Sequence, residues 1–124
     1  MINKKEIDKW LAIEVMGWIK NPLYEEWMDA DCNYTYAWFE WHPTTDRNQA
    51  IDCLETWQEQ HMDKEIIREY SIQRVLHQLE LSFFYIVVLT EYNKDTAAQE
   101  IINETISDTM GLAICRAIYE SRSE

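Results

Sequence analysis

The chain has 124 residues, of which 47% are apolar, so it is long enough for one domain with a buried core and too short for two. Its 23 acidic residues outnumber 11 basic ones and give a net charge of −12, which argues against direct binding to nucleic-acid phosphates. The longest apolar run, Phe83 to Leu89, is much shorter than the roughly 20 residues that cross a membrane. The sequence therefore predicts one acidic globular domain, residues 1–124, without a membrane span.

The first predicted element is a helix from about Lys4 to Met16, because apolar residues recur there at helical spacing. Asn3 is the expected N-cap, and Glu6 follows three residues later as in a capping box. Gly17 is well placed to end the helix. The charged start of the chain differs from a secretion signal, so a cytoplasmic protein is predicted.

A polar loop with aromatic anchors is predicted over Trp18–Asn33, and an aromatic-rich strand over Thr35–Trp41. Pro43 stops that strand, and Thr45 or Asp46 caps the next helix. This helix is predicted to reach about His61 and to bury one side, formed by Ala50, Cys53, Leu54 and Trp57.

Residues 63–81 remain open between helix and strand, since Ile72, Val75, Leu76 and Leu79 suit a helix while residues 70–75 alternate like a strand. Ser82–Tyr92 is predicted to be a central strand, and its β-branched and aromatic run predicts burial on both faces. From Asp95 or Thr96 to Ser121 the pattern predicts a helical region, with a candidate break near Gly111. The predicted fold is an α+β sandwich of about three antiparallel strands covered by two to four helices.

The three cysteines, Cys32, Cys53 and Cys115, are far apart and odd in number, which favours reduced thiols. Three histidines, His42, His61 and His77, form no zinc-binding spacing. Two glycines are too few for a phosphate-binding glycine loop, and no nucleophile has a fixed partner. We therefore predict a protein without catalytic residues, metal or cofactor.

Three short motifs carry a resemblance to a known family. They are A-x-x-V-M-G-W at Ala12–Trp18, P-x-T-D at Pro43–Asp46 and L-A-I-C-R-A at Leu112–Ala117. In this order the chain resembles the phage ABA-sandwich domain, found in small phage and prophage proteins, and it is more weakly similar to Thoeris anti-defence proteins. The resemblance implies an α/β/α-type sandwich, and it favours a strand over residues 63–81 as half of a hairpin.

The resemblance also implies a function in phage-infected bacteria. The chain would sequester a small cyclic nucleotide or a cyclic ADP-ribose-type immune signal, without cleaving it, in the host cytoplasm. Arginine and aromatic side chains suit such a ligand, because they bind phosphate and stack on a base. The candidate ligand-binding residues are Arg116, Arg47, Asn48, Asn93, Phe84, Trp41 and Trp18. Whether Arg116 binds a ligand or forms an internal salt bridge is left open.

The aromatic residues between Tyr34 and Trp41 exceed what a small domain can bury completely, so a homo-oligomer is predicted. The strong acidity supports an alternative function. In this alternative, an acidic phage inhibitor mimics nucleic acid and blocks a host or defence protein, as anti-CRISPR proteins do. A plain accessory phage protein is a third possibility.

Overall fold

The computed structural model describes residues 3–60 and 65–122. Helix α1 spans Lys4–Trp10 and continues as a wider π-helical stretch, Leu11–Val15. The side-chain oxygen of Asn3 accepts a hydrogen bond from the Glu6 amide at 3.1 Å, so the predicted cap is confirmed. Gly17 follows in the left-handed region with φ +73°, which costs glycine little and lets the chain leave the helix.

A small antiparallel sheet follows, formed by β1 (Ile19–Asn21), β2 (Glu26–Met28) and β3 (Tyr34–Ala37) in that order. The loop predicted over Trp18–Asn33 is therefore wrong over 19–21 and 26–28, because strands of three residues are too short for an alternating pattern to show. The strand predicted over Thr35–Trp41 is correct only in its first half, since Trp38–Glu40 form one 3-10 turn.

Helix α2 spans Arg47–Glu59, and the Asp46 carboxylate caps it by accepting a hydrogen bond from the Gln49 amide at 3.1 Å. This confirms the predicted start of the helix after Pro43. The predicted inward residues are all buried, namely Ala50, Cys53, Leu54 and Trp57. The predicted end at His61 lies outside the described residues.

The larger antiparallel sheet has the order β4 (Ile66–His77), β5 (Ser82–Asn93), β6 (Gln99–Ser107), and helix α3 (Met110–Ser121) follows it. Residues 63–81 were open between helix and strand, and the strand interpretation is confirmed for 66–77, which form β4. Residues 63 and 64 lie outside the described residues. The helical region predicted from Asp95 is wrong over 99–107, because pairing with β5 satisfies the backbone of β6 as a strand. The break predicted near Gly111 is also absent, because α3 is continuous from Met110 to Ser121 and Gly111 is its second residue.

Helices α2 and α3 cover one face of the larger sheet. Val87 and Leu89 are fully buried there, and the Thr105 hydroxyl donates a hydrogen bond to the Ala113 carbonyl of α3 at 2.6 Å. Ile86 and Val88 alternate with these residues and stay partly exposed, so the predicted burial of β5 on both faces is wrong. The predicted α+β sandwich with a three-stranded antiparallel sheet is confirmed.

Gly111 lets α3 approach the loop before α2. A Cβ atom at this position would lie 2.9 Å from the Pro43 carbonyl oxygen and 3.1 Å from that of Thr44. The contact places the Pro43–Asp46 motif against Gly111, the residue immediately before the Leu112–Ala117 motif. No helix among the described residues is long and apolar enough to span a membrane.

Candidate functional site

A cavity of about 650 Å³ opens between α1, the small sheet and the turn before α2. We call it the lysine–tryptophan cavity, and it is lined by Lys5, Asp8, Lys9, Lys20, Trp27, Trp38, Phe39, Trp41 and His42. Its volume lies within the range of small-molecule sites, roughly 300–1,000 Å³. It combines positive charge with aromatic walls, which suits an anion that carries a planar ring.

Three of the six lysines of the chain line this cavity. Lys5 and Lys9 are one helical turn apart on α1, and Lys20 is in β1. The neighbouring Lys9 ammonium lowers the pKa of Lys20, so these two like charges are close together. None of the three forms an ion pair within residues 3–60 and 65–122. In a chain with 23 acids, unpaired ammonium groups side by side are a ready site for an anion.

Tryptophan side chains form the walls. Trp27 and Trp41 are 4% and 5% exposed, so this part of the wall belongs to the hydrophobic core. The Trp41 indole N–H donates to the Asp8 carbonyl at 2.8 Å, which ties the wall to α1. Phe39 is 83% exposed and can contact a bound molecule at the mouth. The buried Trp38 Nε1 has no hydrogen-bond acceptor among the described residues.

Asp8 is the acidic residue that lines the cavity. Its Oδ1 accepts a hydrogen bond from the Thr44 amide at 2.9 Å, and its Oδ2 accepts one from the Thr44 hydroxyl at 3.1 Å. Burial raises the pKa of the Asp8 carboxyl, although both bonds to Thr44 oppose the shift. Both carboxylate oxygens thus accept hydrogen bonds from Thr44, so Asp8 links α1 to the turn before α2 at the floor of the cavity.

A second cavity, of about 320 Å³, lies on the other side of Trp41. The rings of Trp18 and Trp41 are 4.6 Å apart there, and three carboxylates of α2 face them, from Asp52, Glu55 and Glu59. These carboxylates repel phosphate. Of these two cavities, the lysine–tryptophan cavity is therefore the one suited to an anion.

The structure brings together only two of the predicted site residues. Trp41 lines both cavities, and Trp18 packs against it in the second cavity. Arg47 and Asn48 begin α2 on the exposed surface, where the carboxylate of Asp46 already caps the free amides. An anion at this helix terminus would compete with that carboxylate.

The other three predicted residues lie outside both cavities. Arg116 donates to the Glu120 carboxylate at 2.9 Å and to the Ile106 carbonyl at 3.2 Å, which fits the structural interpretation of this arginine. Asn93 accepts hydrogen bonds from two backbone amides of the turn after β5. Phe84 is in β5, on the face away from α2 and α3.

Sequence reasoning missed the lysines. Lys5 and Lys9 are four residues apart in a predicted helix, so their shared face was visible in the sequence. Lys20 has no such signal, because it reaches the site through a three-residue strand that was predicted to be a loop. Asp8 and Thr44 are 36 residues apart, and only the packing of α1 joins them.

The described residues give little support for a metal site or a reactive thiol. They contain no group of three histidine, cysteine or acidic side chains placed to hold a metal. Burial raises the pKa of the Cys115 thiol well above its ordinary value, so it is not a thiolate at neutral pH.

No family model, curated protein or solved structure matches this chain. The resemblance to the phage ABA-sandwich domain therefore stays a prediction, and the geometry of the cavity carries the functional argument.

Proposed function

We propose that the protein sequesters a small nucleotide-type ligand in the lysine–tryptophan cavity and releases it unchanged. The observation that carries the proposal is the cluster of Lys5, Lys9 and Lys20 beside aromatic walls, without an ion-pair partner in the described part of the chain. Ammonium groups bind phosphate. The exposed ring of Phe39 and the half-buried indole of Trp38 can stack on a purine or pyrimidine, while the buried Trp27 and Trp41 close the back of the cavity.

The ligand class follows from charge and shape. The chain carries a net charge of −12, so it repels polyanions at long range, and a few lysines can compensate only a few phosphate charges. A small cyclic nucleotide or a cyclic ADP-ribose derivative combines few phosphates with planar bases. The sequence motifs support a phage origin, in which case the ligand is an immune signal of the bacterial host.

Sequestration requires tight binding and no bond cleavage. The Thr45 hydroxyl is 3.1 Å from Nδ1 of His42, but it also donates to the His42 carbonyl at 3.2 Å, and Thr45 does not line the cavity. We therefore propose binding without turnover, in the cytoplasm of the infected cell.

The test is release of intact ligand. The purified protein is incubated with a panel of cyclic mononucleotides, cyclic dinucleotides and cyclic ADP-ribose isomers, washed and denatured, and the supernatant is analysed by mass spectrometry. We expect one class to be retained and recovered with unchanged mass. Recovery of a converted product that increases with time would overturn the proposal of binding without turnover.

Variants assign the site. Lys9→Ala and Lys20→Ala should each weaken binding by roughly ten- to a hundredfold, because each removes a charge-assisted hydrogen bond. Lys94→Ala is the matched control, since Lys94 is exposed in the turn after β5 and lines neither cavity. Equal affinity of all three variants would place the ligand elsewhere. Retention of no nucleotide, together with capture of a basic host protein, would favour the acidic inhibitor instead.

A further inference from the structure

The larger sheet has an apolar face that no helix covers among the described residues. Strand residues alternate between faces, and the face with Val87 and Leu89 is taken by α2 and α3. The opposite face, which we call the outer face, presents seven aliphatic or phenylalanine side chains, from Ile67, Val75, Phe84, Ile86, Val88, Ile101 and Ile106. None of these seven belongs to the hydrophobic core or packs against it.

The outer face is unusually apolar for a solvated surface. Ile101 and Ile106 are 62% and 56% exposed, and they flank a central strand with three consecutive outward apolar positions. Antiparallel sheets with one solvated face normally place polar residues there. An exposed apolar stripe of this kind indicates an interaction surface.

The hairpin of β4 and β5 extends this surface. Strand β6 pairs with β5 only from Tyr85 onward, so the turn-proximal part, from Val75 to Phe84, is a two-stranded arm. Leu76 and Phe83 are 45% and 43% exposed on the side of the arm that faces the helix layer. Two strands alone are marginally stable in water, so a surface that covers the arm would stabilise it.

The charge of the outer face limits what can cover it. The strand residues on this face include no lysine or arginine, and their acids, Glu69 and Glu104, are both on the flanking strands. Anionic lipids and nucleic acids need cations on the protein, so neither is a suitable partner. An uncharged central stripe suits another apolar protein surface.

We infer that a second copy of this chain covers the outer face, in a symmetric homodimer with sheet packed on sheet. Strand spacing and rise give the face and arm a projected area of roughly 600 Å² per copy, which for two copies is about the lower end of the range of stable interfaces, roughly 1,200 Å² in total. Stacked sheets with aligned strands lie about 10 Å apart, which places the Ile86 stripe of each copy against the other. A two-fold axis needs one self-complementary patch, and an uncharged stripe meets that condition.

This surface differs from the aromatic segment Tyr34–Trp41 that led to the predicted oligomer. Trp41 is part of the core, and the Tyr34 hydroxyl donates to the Glu40 carboxylate at 2.7 Å. The dimer also lies apart from the lysine–tryptophan cavity, so the two proposals are independent.

The experiment measures molar mass by light scattering across a dilution series of the whole chain. The unsubstituted protein should have twice the chain mass of 15.0 kDa at high concentration. Ile106→Glu should shift it to the single-chain mass, because a carboxylate at a dimer interface loses its hydration. Ile19→Glu is the matched control, since Ile19 is 49% exposed in a strand of the other sheet, and this variant should stay dimeric.

Circular dichroism establishes that each variant is folded. If Ile106→Glu does not fold, Ser71→Arg provides the same test, because Ser71 is exposed and pairs with Val88. A single-chain mass for the unsubstituted protein at every concentration would overturn the inference. So would dimers that persist in a folded Ile106→Glu or Ser71→Arg variant.

Discussion

Asp8 offers the sharpest test of how the cavity floor is built. Asp8→Ala removes the acceptors of the Thr44 amide and hydroxyl, and Thr44 is only 1% exposed, so water cannot replace them. An unpaired buried polar group costs about 1–3 kcal/mol. The unfolding free energy of Asp8→Ala should therefore be lower by about 2–5 kcal/mol. Asp8→Asn keeps one acceptor and gains a donor to the hydroxyl, so it should be as stable as the unsubstituted protein or more stable at neutral pH.

The pH dependence of the same variants provides a second measurement. Burial raises the pKa of folded Asp8 above its ordinary value of 3.8, so the folded state holds this proton more tightly than the unfolded state. The contribution of Asp8 to stability is therefore present in full below that value and falls as the pH rises through the folded pKa. Asp8→Asn removes this dependence, so its advantage over the unsubstituted protein should grow as the pH rises.

Urea unfolding between about pH 4 and pH 8 measures both the stability change of each Asp8 variant and the pH dependence of that change. Asp52→Asn is the control, because Asp52 is exposed on α2 and its variant should follow the pH profile of the unsubstituted protein. Equal destabilisation by Asp8→Asn and Asp8→Ala would refute the hydrogen-bond argument. Parallel pH profiles for Asp8→Asn and the unsubstituted protein would refute the burial argument.

Two further predictions concern thiols and the late helix. A thiol reagent should modify Cys32 in the native protein and reach Cys53 and Cys115 only after denaturation, since Cys32 alone is exposed and burial raises the pKa of the other two thiols. Rapid native modification of all three would contradict the buried core. Arg116→Ala should lower the unfolding free energy by about 1 kcal/mol or less, because the ion pair with Glu120 is partly exposed, and should leave nucleotide binding unchanged. Lost binding with unchanged stability would place Arg116 at the ligand site.

Local signals in the sequence were sufficient for the starts of α1 and α2 and for β5. Asn3 and Asp46 cap their helices within three residues of themselves, so the geometry that they need is written in consecutive positions. The inward side of α2 follows from helical spacing alone. The run of β-branched and aromatic residues over 82–92 predicted a strand for the same reason.

Errors arose where a partner distant in the sequence decided the structure. Residues 99–107 are compatible with a helix by composition, and they form β6 because β5 offers an unpaired edge. The three-residue strands β1 and β2 are stable only through mutual pairing and the burial of Trp27. Burial of β5 on one face rather than two depended on where α2 and α3 pack.

The features of the candidate site also fall into two groups, those that the sequence determines and those that depend on tertiary packing. The sequence by itself determined the charge of −12, the wealth of aromatic residues, the capped helices and the shared helical face of Lys5 and Lys9, because composition and spacing over four residues are properties of the chain. Only the tertiary structure decided that Lys20 joins those lysines and that Trp41 forms a wall. The reason is physical: a cavity is the space left between packed elements, and its lining depends on contacts that no local pattern records.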